Sequence, residues 1–162
     1  MTSQSYPSPD QEADRAIVVS RRIEAPVEVV YAVWIDAEHL SKWFGPDGFT
    51  TTTHGFEFHP GGIWEFTMHG PDGTDFPNWV EWLEIEPLRR LFFRHGAQRD
   101  DPEAFLSTVT FDREGDATRV TMRSMFGSKE LRDRAVEEYG AVEGAEQTLG
   151  RMAAYASETQ RA

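Results

Sequence analysis

The sequence predicts an α+β domain: a curved antiparallel sheet of about seven strands wrapped on one long C-terminal helix, with two short helices after the first strand. Three observations carry this. Turn clusters recur at regular intervals between strand-like runs, with no helical pattern between them, so neighbouring strands run antiparallel. Ala25-Pro26 breaks the chain after the first such run and opens two short helical patterns. From Ala141 to Ala156, Val142, Ala145, Leu149, Met152, Ala153 and Ala156 recur at spacings of three and four, which is one apolar stripe of a helix. Glu143, Glu146, Gln147 and Arg151 fall off that stripe. A long helix that follows a run of strands has only the sheet's apolar face to lie on.

In chain order, Met1–Ala16 is polar and contains Pro7 and Pro9, so a disordered tail is expected there and one folded domain over 17–158. Ile17–Glu24 alternates as a strand. Val27, Val30, Tyr31 and Trp34 then follow at helical spacing, with Pro26 at the helix start, where its missing N–H costs nothing. Asp36 is placed to cap a second short helix whose buried edge is Leu40, Trp43 and Phe44, stopped by Gly45-Pro46-Asp47-Gly48. Strands are expected over Phe49–Phe58, Ile63–His69, Trp79–Ile85, Leu91–Gly96, Phe105–Asp112 and Ala117–Phe126. Ser128 is placed to cap a helix from Lys129 to about Glu138, and Gly140 and Gly144 predict a kink or break before the final helix.

Composition narrows the function. Among 162 residues there are 28 acidic and 16 basic ones, a net charge of −12. That balance argues against nucleic acid and against anionic membranes, which are bound through basic patches. With no cysteine there is no disulfide, thiol nucleophile or thiolate metal site. No run approaches the roughly 20 apolar residues of a membrane span, and the N-terminus has no secretory apolar run, so a cytoplasmic location is expected. Eleven Phe and five Trp point to an interior lined with flat, rigid rings.

Four ordered segments resemble one family. They are Ile23–Pro46 (IEAPVEVVYAVWIDAEHLSKWFGP), Phe58–Gly73 (FHPGGIWEFTMHGPDG), Glu84–Gly96 (EIEPLRRLFFRHG) and Val142–Ala156 (VEGAEQTLGRMAAYA). Together they resemble the SRPBCC, or START-like, superfamily, in the branch named for the C-terminal domain of the activator of heat-shock protein 90 ATPase. The resemblance implies a helix-grip fold over about Ile17–Ala156. It does not single out one activity, since the family holds co-chaperone domains, lipid and polyketide binders, aromatic cyclases and an antibiotic-resistance protein. The eukaryotic co-chaperones carry a large additional N-terminal domain, where this chain has only Met1–Ala16.

The candidate pocket follows from strand parity. Trp64, Phe66 and Met68 share one face, as do Phe93 and His95; Phe111 and Met122 point the same way from their own strands. These faces, with Trp82, Leu149 and Met152, are assigned to the interior, and Trp43 and Phe44 to its closed end. The alternative for the same residues is an ordinary packed core. His95 is the polar residue expected inside, able to orient a ligand's carbonyl or hydroxyl or to act as a general base. Its alternative is a core histidine bonded to a backbone carbonyl. If Val80 and Trp82 face inward, Glu84 follows them and becomes a partner for His95; otherwise it sits at the sheet's rim and reaches Arg89 or Arg90. His69 is read as a turn residue. His54 and His59 lack metal-ligand spacing, so neither a metal nor a cofactor is expected.

The expected function is binding of a small hydrophobic molecule (lipid, aromatic or polyketide-like) between sheet and C-terminal helix. Two alternatives remain: a cyclase or hydrolase using His95 with Glu84 or a bound water, and a co-chaperone-like interaction module. A homodimer is left open.

Overall fold

The structure, a computed structural model, describes residues 13–161. Most of the expected tail lies outside the described residues. Order begins before Ile17, since residues 13–15 are helical and the Arg15 carbonyl accepts from the Phe126 N–H at 2.8 Å.

Seven antiparallel strands form one sheet: β1 (Ala16–Ile23), β2 (Thr50–Phe56), β3 (Ile63–His69), β4 (Asp75–Glu86), β5 (Arg90–Gly96), β6 (Phe105–Glu114) and β7 (Ala117–Met125). The spatial order is β1-β7-β6-β5-β4-β3-β2. Strands joined by short turns sit side by side, and β1 closes onto β7 because the two short helices carry the chain across to the opposite edge. Those helices are α1 (Val27–Ala32) and α2 (Ala37–Trp43). The Asp36 carboxylate accepts the Glu38 N–H at 2.8 Å, which satisfies one of the donors left free at the start of α2.

One strand departs from expectation in two ways. β4 begins at Asp75 rather than Trp79, although Pro77 lies inside it. Residues 75–78 pair only with β3, because pairing with β5 starts at Trp79↔Gly96. On an edge segment the missing proline N–H breaks no second ladder. β4 also carries a bulge: Trp82 pairs with Phe93, but Glu84 pairs with Phe92 and Ile85 with Leu91. The extra residue reverses the parity, so Ile85 continues the inward face and Glu84 turns out.

The last two helices are α3 (Lys129–Tyr139) and α4 (Ala141–Arg161), the latter five residues longer than its apolar stripe. Ser128 Oγ caps α3 by accepting the Leu131 N–H at 3.1 Å. Gly140 ends α3 with φ +58°, a left-handed conformation that costs glycine least. α4 then crosses the concave face. His39 Nδ1 and Tyr155 Oη meet at 2.6 Å to tie it to α2. The Arg151 guanidinium donates to the Gly45 and Pro46 carbonyls at 2.9 and 2.8 Å.

The core beneath the second half of α4 is solid. Trp34 lies edge-on to Trp43 at 4.8 Å, and its indole N–H points at Met152 Sδ at 3.3 Å. Trp64 stacks on Phe66 at 3.8 Å, and Trp82 meets Phe93 edge-on at 5.2 Å. Leu149, Met152 and Ala156 are buried on these rings. Truncating Leu149 to Ala leaves a cavity the rings cannot collapse into, so Leu149→Ala is expected to lower unfolding free energy by about 2–5 kcal/mol in urea melts. A loss below about 1 kcal/mol contradicts this packing.

Candidate functional site

Where its first two turns line the space beneath it, α4 contributes short side chains: Ala141, Ala145 and Thr148. Opposite them, the cross-strand pair Ser107 and Ser124 is equally short, with the two Oγ atoms 3.4 Å apart. Small residues on both walls leave a chamber of about 170 Å³. Its sides are Ile17, Phe44, Phe93, Phe105, Met122 and Phe126. Pro46, Met68, His95, Phe105 and Phe126 are shared with an outer groove of about 440 Å³. The groove's far wall is α3, through Leu131, Arg134, Ala135 and Tyr139, and its rim includes Asp101 and Glu103.

His95 sits where chamber and groove meet. Rings surround it: Phe105 at 4.9 Å, Phe66 at 5.9 Å, Phe44 at 6.3 Å and Phe93 at 6.5 Å. The loop after it folds close because Gly96 has no side chain; a Cβ there would stand 2.9 Å from Asp101 Cβ. Asp101 is held by two backbone donors, Ala97 N–H and Glu103 N–H, each at 2.8 Å. Burial pushes His95 down from its ordinary 6.5 to about 4, against a smaller upward pull from Asp101. The ring is therefore neutral at pH 7.

A chain of bonds sets its tautomer. The Asn78 amide NH₂ donates to the Phe76 carbonyl at 2.9 Å, which turns Asn78 Oδ1 toward His95. Nε2 of His95 lies 2.7 Å from that oxygen, so Nε2 carries the proton. Nδ1 is then a bare acceptor, with no hydrogen bond to any described residue.

Five of the sequence-derived candidates line the chamber: Phe44, Met68, Phe93, His95 and Met122. Seven do not line either space. Trp43, Trp64, Phe66, Trp82, Phe111, Leu149 and Met152 are packed into the solid part of the core. Of the two placements open to Glu84, the pair with His95 does not form and the contact with Arg90 does. The β4 bulge puts Glu84 on the outer face, where its carboxylate accepts from Arg90 at 2.8 Å. Nor is His95 bonded to a backbone carbonyl; its partner is the Asn78 side chain. His69 ends β3 rather than entering the turn, with Nδ1 2.7 Å from Asp75 and Nε2 2.8 Å from Thr52 Oγ1. Sequence reasoning left Phe105, Ser107, Asn78 and the alanines of α4 out of the candidate pocket. Ser107 and Ser124 carried a usable signal: each is small and polar on an otherwise apolar strand face.

The family model described as Activator of Hsp90 ATPase homolog 1-like protein matches residues 24–157. The chain belongs to that family. Its fold recurs in solved relatives of this Activator of Hsp90 ATPase homolog 1-like member. A protein from Arthrobacter aurescens is 30% identical, covers 90% of this chain and 88% of its own, and superposes with a TM-score of 0.81. One from Nitrosomonas europaea is 23% identical over 93% of this chain and 99% of its own, with a TM-score of 0.83. One from Mycobacterium smegmatis is 23% identical over 88% and 91%, with a TM-score of 0.77. No curated protein matches the chain. None of the helices among the described residues is long and apolar enough to cross a membrane.

In this family member the half-buried imidazole makes stability depend on pH. Its folded-state value lies below 6.5, so between pH 6.5 and about 4 the unfolded chain binds more protons at this site, and stability falls as pH falls. The gap corresponds to about 3 kcal/mol at most. Urea melts from pH 7.5 to 4 are expected to show that loss in the wild type and a smaller one in His95→Gln. Equal losses in both contradict a ring held neutral by its surroundings.

Proposed function

We propose that this protein binds a small, largely apolar molecule in the chamber under the first half of α4, entering through the groove beside α3. The observation that carries this is the pairing of short side chains on both walls, which leaves an apolar space the protein does not fill itself. An apolar cavity of about 150 Å³ is enough for a single benzene ring. The chamber's 170 Å³ therefore suits one aromatic ring, with the groove available to longer substituents. Its polar groups are few and placed, as in sites that orient a ligand rather than solvate it.

Binding is favoured over catalysis. The carboxylate needed for a His–Glu dyad is on the other side of the sheet, bonded to Arg90. His95 alone supplies an acceptor, and its low basicity makes it a weak general base at neutral pH.

The test uses p-xylene as a one-ring apolar probe, titrated by calorimetry. Saturable one-to-one binding to the wild type is expected. Ala145→Leu directs a branched side chain into the chamber and is expected to weaken p-xylene at least about tenfold while melting within a few degrees of the wild type. Unchanged p-xylene affinity in Ala145→Leu contradicts the chamber as the site.

A further inference from the structure

We propose that the ligand is an uncharged aromatic that carries a hydrogen-bond donor, a phenol-type hydroxyl above all, and that Nδ1 of His95 receives that donor at the neck between chamber and groove. The inference rests on the binding reading above and adds the chemical class.

Three observations converge on it. First, the relay from the Phe76 carbonyl through Asn78 to Nε2 commits His95 to one tautomer, and leaves Nδ1 with a lone pair and no partner among the described residues. An imidazole without such a relay switches tautomer and meets donors and acceptors alike; this one is preset for donors. Second, the chamber wall contains no Lys or Arg among the described residues, so a carboxylate would enter without a counter-charge. The groove has Arg134, but its guanidinium pairs with Glu103 at 2.6 Å, and Asp101 also lines the groove. Third, the walls around the neck are rings: Phe105 and Phe126 stack 4.9 Å apart, and Phe44 and Phe93 close the other side. Flat walls favour a flat guest. A fatty acid meets neither the charge nor the shape condition.

A matched set of one-ring probes tests this by calorimetry at pH 7.5: p-cresol carries the hydroxyl, p-xylene a methyl in its place and p-toluate a carboxylate. The quantity read is the ratio of p-cresol to p-xylene affinity. His95→Phe is expected to lower that ratio about tenfold, the loss of one hydrogen bond in an apolar site. p-Toluate is expected to bind more weakly than either. A second measurement needs no variant. Long-range ¹H–¹⁵N spectra of the wild type are expected to show Nδ1 as the unprotonated nitrogen, shifting with p-cresol and not with p-xylene. This decides the matter should His95→Phe fail to fold.

An unchanged ratio in His95→Phe, a protonated Nδ1, or tightest binding of p-toluate overturns the donor inference while p-xylene binding leaves the chamber reading standing. Failure of both p-xylene and p-cresol to bind the wild type overturns both.

Discussion

The height at which α4 rides above the sheet decides everything else in this molecule. It is set at one end by a block of rings. Trp34 rests edge-on against Trp43 and aims its N–H at Met152, so the second half of the helix is carried on tryptophan rather than on aliphatic side chains. Over the chamber, in its first two turns, the lining side chains shrink to Ala141, Ala145 and Thr148, and the sheet answers with Ser107 and Ser124. Close packing elsewhere and small residues on both walls here make the gap a consequence of the sequence, not of a loose core. The Arg151 bonds to the Gly45 and Pro46 carbonyls then fix the loop that closes the gap's rim.

The chemistry of the gap follows from its largely apolar walls. A ring enclosed by four phenylalanines is held neutral, and a neutral imidazole has one donor and one acceptor to dispose of. Asn78 takes the donor because its own amide is already turned by Phe76. That residue sits on the part of β4 that pairs with β3 alone, the same segment in which Pro77 is tolerated. An edge extension of one strand thus supplies the group that orients the histidine on the next. The outer face of the sheet is organised separately: Glu84, displaced by the bulge, and Glu86 both accept from Arg90 and hold its guanidinium in the charged form.

Much of this architecture was legible from residue order. The period-two runs, the turn clusters and the three-and-four stripe of α4 each reflect a local rule, and the strands and helices follow them closely. The start of β4 was hidden by Pro77, because sequence alone does not show that its neighbour on one side is absent. The outward turn of Glu84 was hidden for a related reason. A bulge depends on what the partner strand does, and Leu83 and Glu84 give no sign of it on their own. The candidate site divided along the same line. Parity placed Phe93, His95 and Met122 correctly on the inner face, but parity does not separate side chains that fill space from those that border it. The large rings drew attention, whereas the chamber is defined by where large side chains stop: at Ser107, Ser124, Ala141 and Ala145.

The most direct test of a hollow confined to one half of the helix uses the methionines as built-in reporters. Met68 and Met122 border the chamber, while Met152 lies in the ring-packed half. With ¹³C-methyl-labelled methionine, a xenon-pressure titration followed by NMR is expected to move the Met68 and Met122 methyl signals along one saturable curve and to leave Met152 in place, because xenon enters dry apolar cavities. Movement of Met152 to the same extent, or no movement of any of the three, contradicts the account.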